Sequence, residues 1–280
     1  MFPSHRPLPA AAGLLAALSL SACAQGVAPS TPSGVTGLSA LRAPAHAAPN
    51  TSCSPLNQAG PLVVAGFDVG RGGLESLNNS GVTQLTSAIL SSFPYSTVSN
   101  FANSLAPWPF PSNVNAIILG VLYTEEQEIQ PLSVREQRAL KTWVETPASP
   151  AHVLILMTDN QINAEAANKS FLKSWKLKSA GTLGGTQVAS YLPAPPADPI
   201  MQGPCGTSAE LDDTVAGYFT KLGASTELAS FNSNGKPTLA YLPGNGSTGT
   251  VVFFSDSNVM VDGLMTQSDE TALLNALALY

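Results

Sequence analysis

Beyond residue 60 the chain carries five apolar stretches: Pro61–Asp68, Ser96–Phe101, Val114–Tyr123, His152–Thr158 and Thr250–Ser255. Runs of this length and β-rich make-up predict strands. Asn115-Ala-Ile-Ile-Leu-Gly-Val-Leu122 and Val153-Leu-Ile-Leu-Met157 are apolar at nearly every position, the pattern of strands covered on both faces. Helical spacing lies between the runs. Ser133-Val-Arg-Glu136 predicts a capping box, after which Ala139, Leu140, Trp143 and Val144 line one face. Thr207-Ser-Ala-Glu210 predicts a second box, with Leu211, Val215, Tyr218 and Leu222 as its stripe and Gly223 as the terminal cap. Further helices are expected over 80–91 (Val82, Leu85, Ile89), over 163–177, and from Ser268 to the end. Strands alternating with helices predict an α/β fold, a three-layer arrangement with a mainly parallel sheet. The aromatic side chains on the helical faces, Trp143, Phe171, Trp175 and Phe219, are expected to be core.

The first sixty residues follow a different pattern. His5 and Arg6 precede an apolar run from Leu8 to Leu20, a charged region and then a hydrophobic one, as in an export signal. About a dozen residues is too short for a hydrocarbon core that needs roughly 20. Leu20-Ser21-Ala22-Cys23 resembles the lipobox of bacterial lipoproteins, which implies cleavage after residue 22 and acylation of Cys23. Acyl chains contribute about 0.8 kcal/mol per buried methylene, so two or three anchor stably. Ala24 follows, not the aspartate that retains such proteins in an inner membrane. Residues 23–60 are dominated by Ala, Pro, Ser, Gly and Thr, which bury too little to offset chain entropy. They form a tether, reaching on the order of 30 Å as a flexible coil. Residues 61–280 remain as one domain.

Composition narrows the partners. Of twelve Lys and Arg, eleven remain once Arg6 leaves with the signal, against eighteen Asp and Glu. An acidic chain argues against nucleic acid and against a basic patch gripping an anionic surface. With Cys23 given to lipid, Cys53 and Cys205 are an even pair in an oxidising compartment, and we expect them bonded. Such a bond would close a long loop and stabilise the fold by restricting the unfolded chain.

Element order and residues together resemble the class I glutamine amidotransferase-like fold, more narrowly its DUF4350-type and ThuA-like extracytoplasmic branch. Phe67-Asp68-Val-Gly-Arg-Gly-Gly73 is similar to the first strand and acidic turn of that family. Leu132-Ser133-Val-Arg-Glu136 to Trp143-Val144 resembles its middle helix. Gly249-Thr-Val-Val-Phe-Phe-Ser-Asp256-Ser257 and Ala272-Leu-Leu-Asn275 resemble its last strand and helix. The resemblance implies a flavodoxin-like or Rossmann-like sheet. Thr146-Pro-Ala-Ser-Pro150 departs from it, replacing the glycine pair usual between the middle helix and its strand.

Fold does not supply function. An amidotransferase needs a cysteine on a sharp turn after a central strand, with a histidine beside it. The turn here reads Thr158-Asp159-Asn160. Beyond the signal the histidines are His46, in the tether, and His152, at the start of a strand and so at the edge away from ligands. No G-x-S-x-G elbow is present. Gly70-Arg71-Gly72-Gly73 lacks dinucleotide spacing, and Gly244-Asn-Gly-Ser-Thr-Gly249 lacks the lysine of a phosphate loop. Both read as turns, although Arg71 could meet an anion.

One constellation remains. Asp68, Asp159 and Asp256 each end a strand, where open α/β sheets bind ligands. Sharing one edge, they could hold a divalent cation or a polyhydroxylated ligand. Alternatively each caps its own turn. No cofactor is expected beyond that possible cation. The expectation is a lipid-anchored, non-catalytic domain on the outer face of the cytoplasmic membrane or on the outer membrane. It would bind an envelope protein or a small polar ligand, not nucleic acid. A hydrolase using the acidic edge and a structural envelope subunit are the alternatives.

Overall fold

The computed structural model describes Cys53 and residues 60–105, 111–121, 130–192, 198–245 and 248–280. The signal, the lipobox with Cys23 and most of the tether lie outside the described residues, as do the last two residues of the expected 114–123 strand. Residues 46–280 form one compact unit.

Four strands and four helices alternate first: β1 (Val63–Phe67), α1 (Val69–Gly72), α2 (Thr83–Ser92), β2 (Thr97–Ala102), β3 (Ala116–Leu119), α3 (Val134–Glu145), β4 (Val153–Met157) and α4 (Gln161–Leu172). Nine strands follow before the last helix. They are β5 (Lys178–Ala180), β6 (Thr186–Tyr191), β7 (Gln202–Gly203), β8 (Gly206–Thr207), β9 (Glu210–Thr214), β10 (Tyr218–Lys221), β11 (Thr226–Phe231), β12 (Pro237–Leu242) and β13 (Thr250–Phe254), and then α5 (Gln267–Leu277). The main sheet runs β2-β1-β3-β4-β13-β12-β11-β6-β9. Its first five strands are parallel, and the rest continue it antiparallel.

The parallel strands are apolar throughout because both faces are covered. Val64, Ile118, Ile155 and Val252 point into one cluster with Leu85 and Ile89 of α2 and Leu273 of α5. Their chain neighbours Val63, Ile117, Leu154 and Val251 point the other way, among Leu140 and Trp143 of α3 and Phe171 of α4. The chain thus has the α/β fold with helices on both faces of a parallel sheet. Trp143, Phe171, Trp175 and Phe219 are buried in the second cluster. The capping box at Ser133 and Glu136 forms. The connection containing residues 244–249 joins the antiparallel pair β12 and β13, as a hairpin turn does.

One expected helix is absent. Residues 207–223 form β8, β9 and β10. Leu211 and Asp213 are buried while their neighbours Glu210 and Asp212 are not, a period of two. Val215 adopts φ 57°, which a β-branched residue in a helix cannot hold, and Gly217 packs its backbone against Asp159 O, where a Cβ would come within 2.8 Å. Ser208 Oγ bonds to Glu210 O and Ser268 Oγ instead of opening a helix. The expected 163–177 helix ends earlier, at Leu172, in a 3-10 turn over Lys173–Trp175.

Cys53 and Cys205 are disulfide-bonded. The bond ties the segment before β1 to the β7–β8 hairpin. Asn275 of α5 completes the joint: its Oδ1 accepts from Cys205 N, and its Nδ2 donates to Ile200 O and Gly206 O. The compact unit therefore holds both apolar clusters and the disulfide, and residues 46–280 have what a domain needs to fold alone.

Candidate functional site at the carboxyl end of the parallel strands

Of the three expected aspartates, Asp68 serves its own turn. It is the N-cap of α1, with Oδ1 accepting from Gly70 N at 3.1 Å and Oδ2 from Asn78 Nδ2 at 3.2 Å. Arg71 is not offered to an anion. Its guanidinium lies 4.4 Å from the Phe67 ring centroid, donates to Asn103 O, and grips both carboxylate oxygens of Glu136. Burial would raise the Glu136 pKa. Arg71, the Leu105 N–H and Ser133 outweigh it and bring it down to about 2.

Asp159 and Asp256 do come together. They follow β4 and β13, which pair in register through Met157 and Phe254, and the charge of Asp159 makes ionising Asp256 harder. Asp159 Oδ1 accepts from Asn160 N and Nδ2, while Asn168 bonds the backbone N and O of Asp159. Asp256, fully buried, accepts from Thr214 N on Oδ2 and from Asn258 N on Oδ1.

Two further carboxylates join them. Ser257 Oγ donates to Glu75 Oε1 at 2.6 Å, and Thr238 Oγ1 donates to Asp213 Oδ2, Thr238 in turn bonding Ser255 Oγ. Glu75 Oε2 and Asp213 Oδ1 are buried without a hydrogen-bond partner. Gly120 makes room for Glu75, since a Cβ there would sit 2.6 Å from Oε2. Burial, then the charge of Asp159, pushes Glu75 well above the usual carboxylate range despite Ser257. Burial and then Asp213 do the same to Asp256. Asp213 is pushed up to about 7, by burial first and then by Asp269 and Asp212. Buried carboxylates that repel one another cannot all ionise. Burial and mutual repulsion at this edge favour the protonated forms of Glu75, Asp213 and Asp256.

Sequence reasoning missed Glu75 and Asp213. Glu75 lies in a glycine-rich turn with no motif around it, and Asp213 fell inside the stretch read as helical. Among the described residues no group of three or more His, Cys, Asp or Glu side chains is arranged to hold a metal ion. His152 lies at the other edge. Its Nδ1 is 2.7 Å from Trp143 O, its ring stacks on Trp143 at 4.1 Å, and burial lowers its pKa. Thr158, Asp159 and Asn160, in the turn where a nucleophile is expected, are all buried.

No protein-family model matches the sequence, and no curated protein matches it. Solved structures do. The mmIFT52 N-terminal domain aligns over 77% of this chain and 94% of its own, at TM-score 0.52 and 9% identity. The likeness is one of fold. A ThuA-like protein from Bacteroides uniformis matches over 80% of this chain and 93% of its own, at TM-score 0.46 and 9% identity. A glutamine amidotransferase from Thermotoga maritima matches over 78% and 96%, at TM-score 0.46 and 10% identity.

Proposed function

We propose that the chain is a lipid-anchored, extracytoplasmic and non-catalytic domain that serves as a protein-interaction module of the cell envelope. One observation carries the non-catalytic reading: the carboxyl edge of the sheet is filled by its own side chains. Asp159 and Asp256, which would meet a ligand there, are buried and hydrogen-bonded to Asn160, Thr214 and Asn258. The lipobox at Cys23 and the polar tether support the anchored reading, and a disulfide suits an oxidising compartment.

The test is production of the full chain in a bacterium with a lipoprotein pathway, fed labelled palmitate. Label in the chain, lost in Cys23→Ala, is the expected result. An unlabelled chain overturns the anchor. In the same cells, crosslinking should join the domain to an envelope protein.

A second reading, a carboxylate-dependent hydrolase, draws on the raised pKa values and the two unpartnered oxygens of Glu75 and Asp213. It requires that the edge open to solvent. Thermal unfolding of residues 46–280 with calcium, magnesium and a sugar panel separates the two. Ligand at about 100 times its dissociation constant adds roughly 2.7 kcal/mol. A rise in midpoint that Asp256→Asn abolishes would favour the hydrolase.

A further inference from the structure

The chain as a whole is acidic, yet its lysines are not spread evenly. Of seven, five belong to one stretch of surface: Lys169, in the last turn of α4, Lys173, Lys176, Lys178 and Lys221. All five are exposed. Lys178 and Lys221 are register partners on β5 and β10, so their side chains project on one side. Lys173 and Lys176 lie on the turn that leads into β5, and Gly223, just past β10, packs on the backbone of Trp175 and Lys176. Among the described residues none of the five has an ion pair. The cationic group beside them, Lys141, donates to Ser174 O and pairs with Glu145. Glu165 lies one turn back along α4.

The topology places this patch at a particular edge. α4 starts at the carboxyl end of β4, and Gln161 N bonds Gly181 O, just past β5. The far end of α4 and the beginning of β5 therefore lie at the opposite edge, where β1, β3 and β4 begin. Gly60 and Leu62, through which the chain reaches β1, are at that edge too.

Against the expectation drawn from net charge alone, we propose that this lysine face docks the domain on the anionic lipid surface into which the chain is anchored. Five unpaired, exposed ammonium groups on a chain of net charge −6 are complementary to phosphate headgroups, and ammonium on a flexible stem suits a surface with no fixed geometry. The net negative charge of the rest of the chain favours the lysine face over the others as the one turned to such a surface. Attraction acts within a Debye length, about 10 Å at 0.1 M salt, and the tether supplies the proximity. The proposal rests on the lipid-anchored reading, and its test does not need the anchor.

Residues 46–280, disulfide intact, are sedimented with vesicles of phosphatidylcholine alone and with vesicles one third phosphatidylglycerol. Binding to the second only, weakened by salt, is expected. Each lysine near such a surface strengthens binding about fivefold, so Lys169→Gln/Lys173→Gln/Lys178→Gln/Lys221→Gln should weaken it by roughly several hundredfold. These side chains are exposed, and an unchanged unfolding midpoint verifies the fold of the variant. Arg135→Gln/Lys236→Gln, which removes cations from the carboxyl edge of the sheet, should leave binding unchanged. Equal binding to both vesicles, no binding to either, or equal loss in both variants overturns the proposal, even if an acidic protein is captured. Palmitate labelling of the full chain reports separately on the anchor. A labelled chain whose domain ignores anionic vesicles would sink the patch and spare the anchor; the reverse would do the opposite.

Discussion

At the scale of single residues, the folded chain holds protons that the unfolded chain would release. Asp213 keeps its proton to about pH 7 when folded, against an ordinary value of 3.8. Between those values the native state binds more protons than the unfolded one, so the contribution of Asp213 to stability is fully present below about pH 4 and falls as pH rises towards 7. Each unit of pKa difference is worth about 1.4 kcal/mol. Asp213→Asn keeps the shape and removes the titration, so its urea midpoint should change less across that window than that of the native chain. A native midpoint that climbs from pH 4 to 7 would contradict this. Glu136 acts with the opposite sign in a lower window. Its folded pKa is about 2, so its contribution is present above the ordinary 4.5 and lost as pH falls through 2. Removing one partner of a buried pair leaves the other charge uncompensated, at about 3–5 kcal/mol. Arg71→Met should therefore lose stability in denaturant titrations, and Arg71→Met/Glu136→Leu should recover part of it. Of this site, Asp159 and Asp256 were legible because a strand end is where an α/β sheet presents its residues. Asp68 shares that position yet serves α1, since a glycine-rich turn directly after it offers the Gly70 N–H two residues away. Nothing local distinguishes those two outcomes.

At the scale of elements, long-range side chains do what a neighbouring residue often does. α2 starts after Val82, which cannot cap it. Asp262 does so from 179 residues away, accepting from Thr83 N, Thr83 Oγ1 and Gln84 N. Loss of a helix cap costs about 1 kcal/mol. Asp262→Ala should show that loss by chemical denaturation, and Ser80→Ala, a residue nearer in sequence to the start of α2, should not. The parallel strands and the helices over α2, α3, α4 and α5 were legible because two-sided burial and 3.6-residue spacing leave long, unmixed patterns. The antiparallel wing was not. Its strands are covered by half, as in β11 and β12, where buried and partly exposed residues mix. β9 was misread because Leu211, Val215, Tyr218 and Leu222 match helical spacing. Only the positive φ of Val215 and the close approach of Gly217 to Asp159 break it, and neither is visible without the partner strand.

At the scale of the whole molecule, the Cys53–Cys205 disulfide closes a loop with a sequence separation of 152. That loop takes in all of the parallel sheet except β13. Its main effect is therefore on the unfolded chain, which it keeps from expanding. In the chain-entropy treatment a loop of this size stabilises the native state by about 5 kcal/mol. Both sulfurs are buried against the cluster that α2 and α5 share with the sheet, so the native contacts of the joint are a second, separable contribution. Cys53→Ser/Cys205→Ser should lower the unfolding free energy by up to that amount. Because its unfolded state exposes more surface, the dependence on denaturant should also steepen. Asn275→Ala should destabilise through the folded state alone, leaving the slope as it is, since it removes bonds to Cys205 N, Ile200 O and Gly206 O and no crosslink. If the two variants change midpoint and slope alike, the disulfide acts as a packing element of the α5 joint and not as a restraint on the unfolded chain.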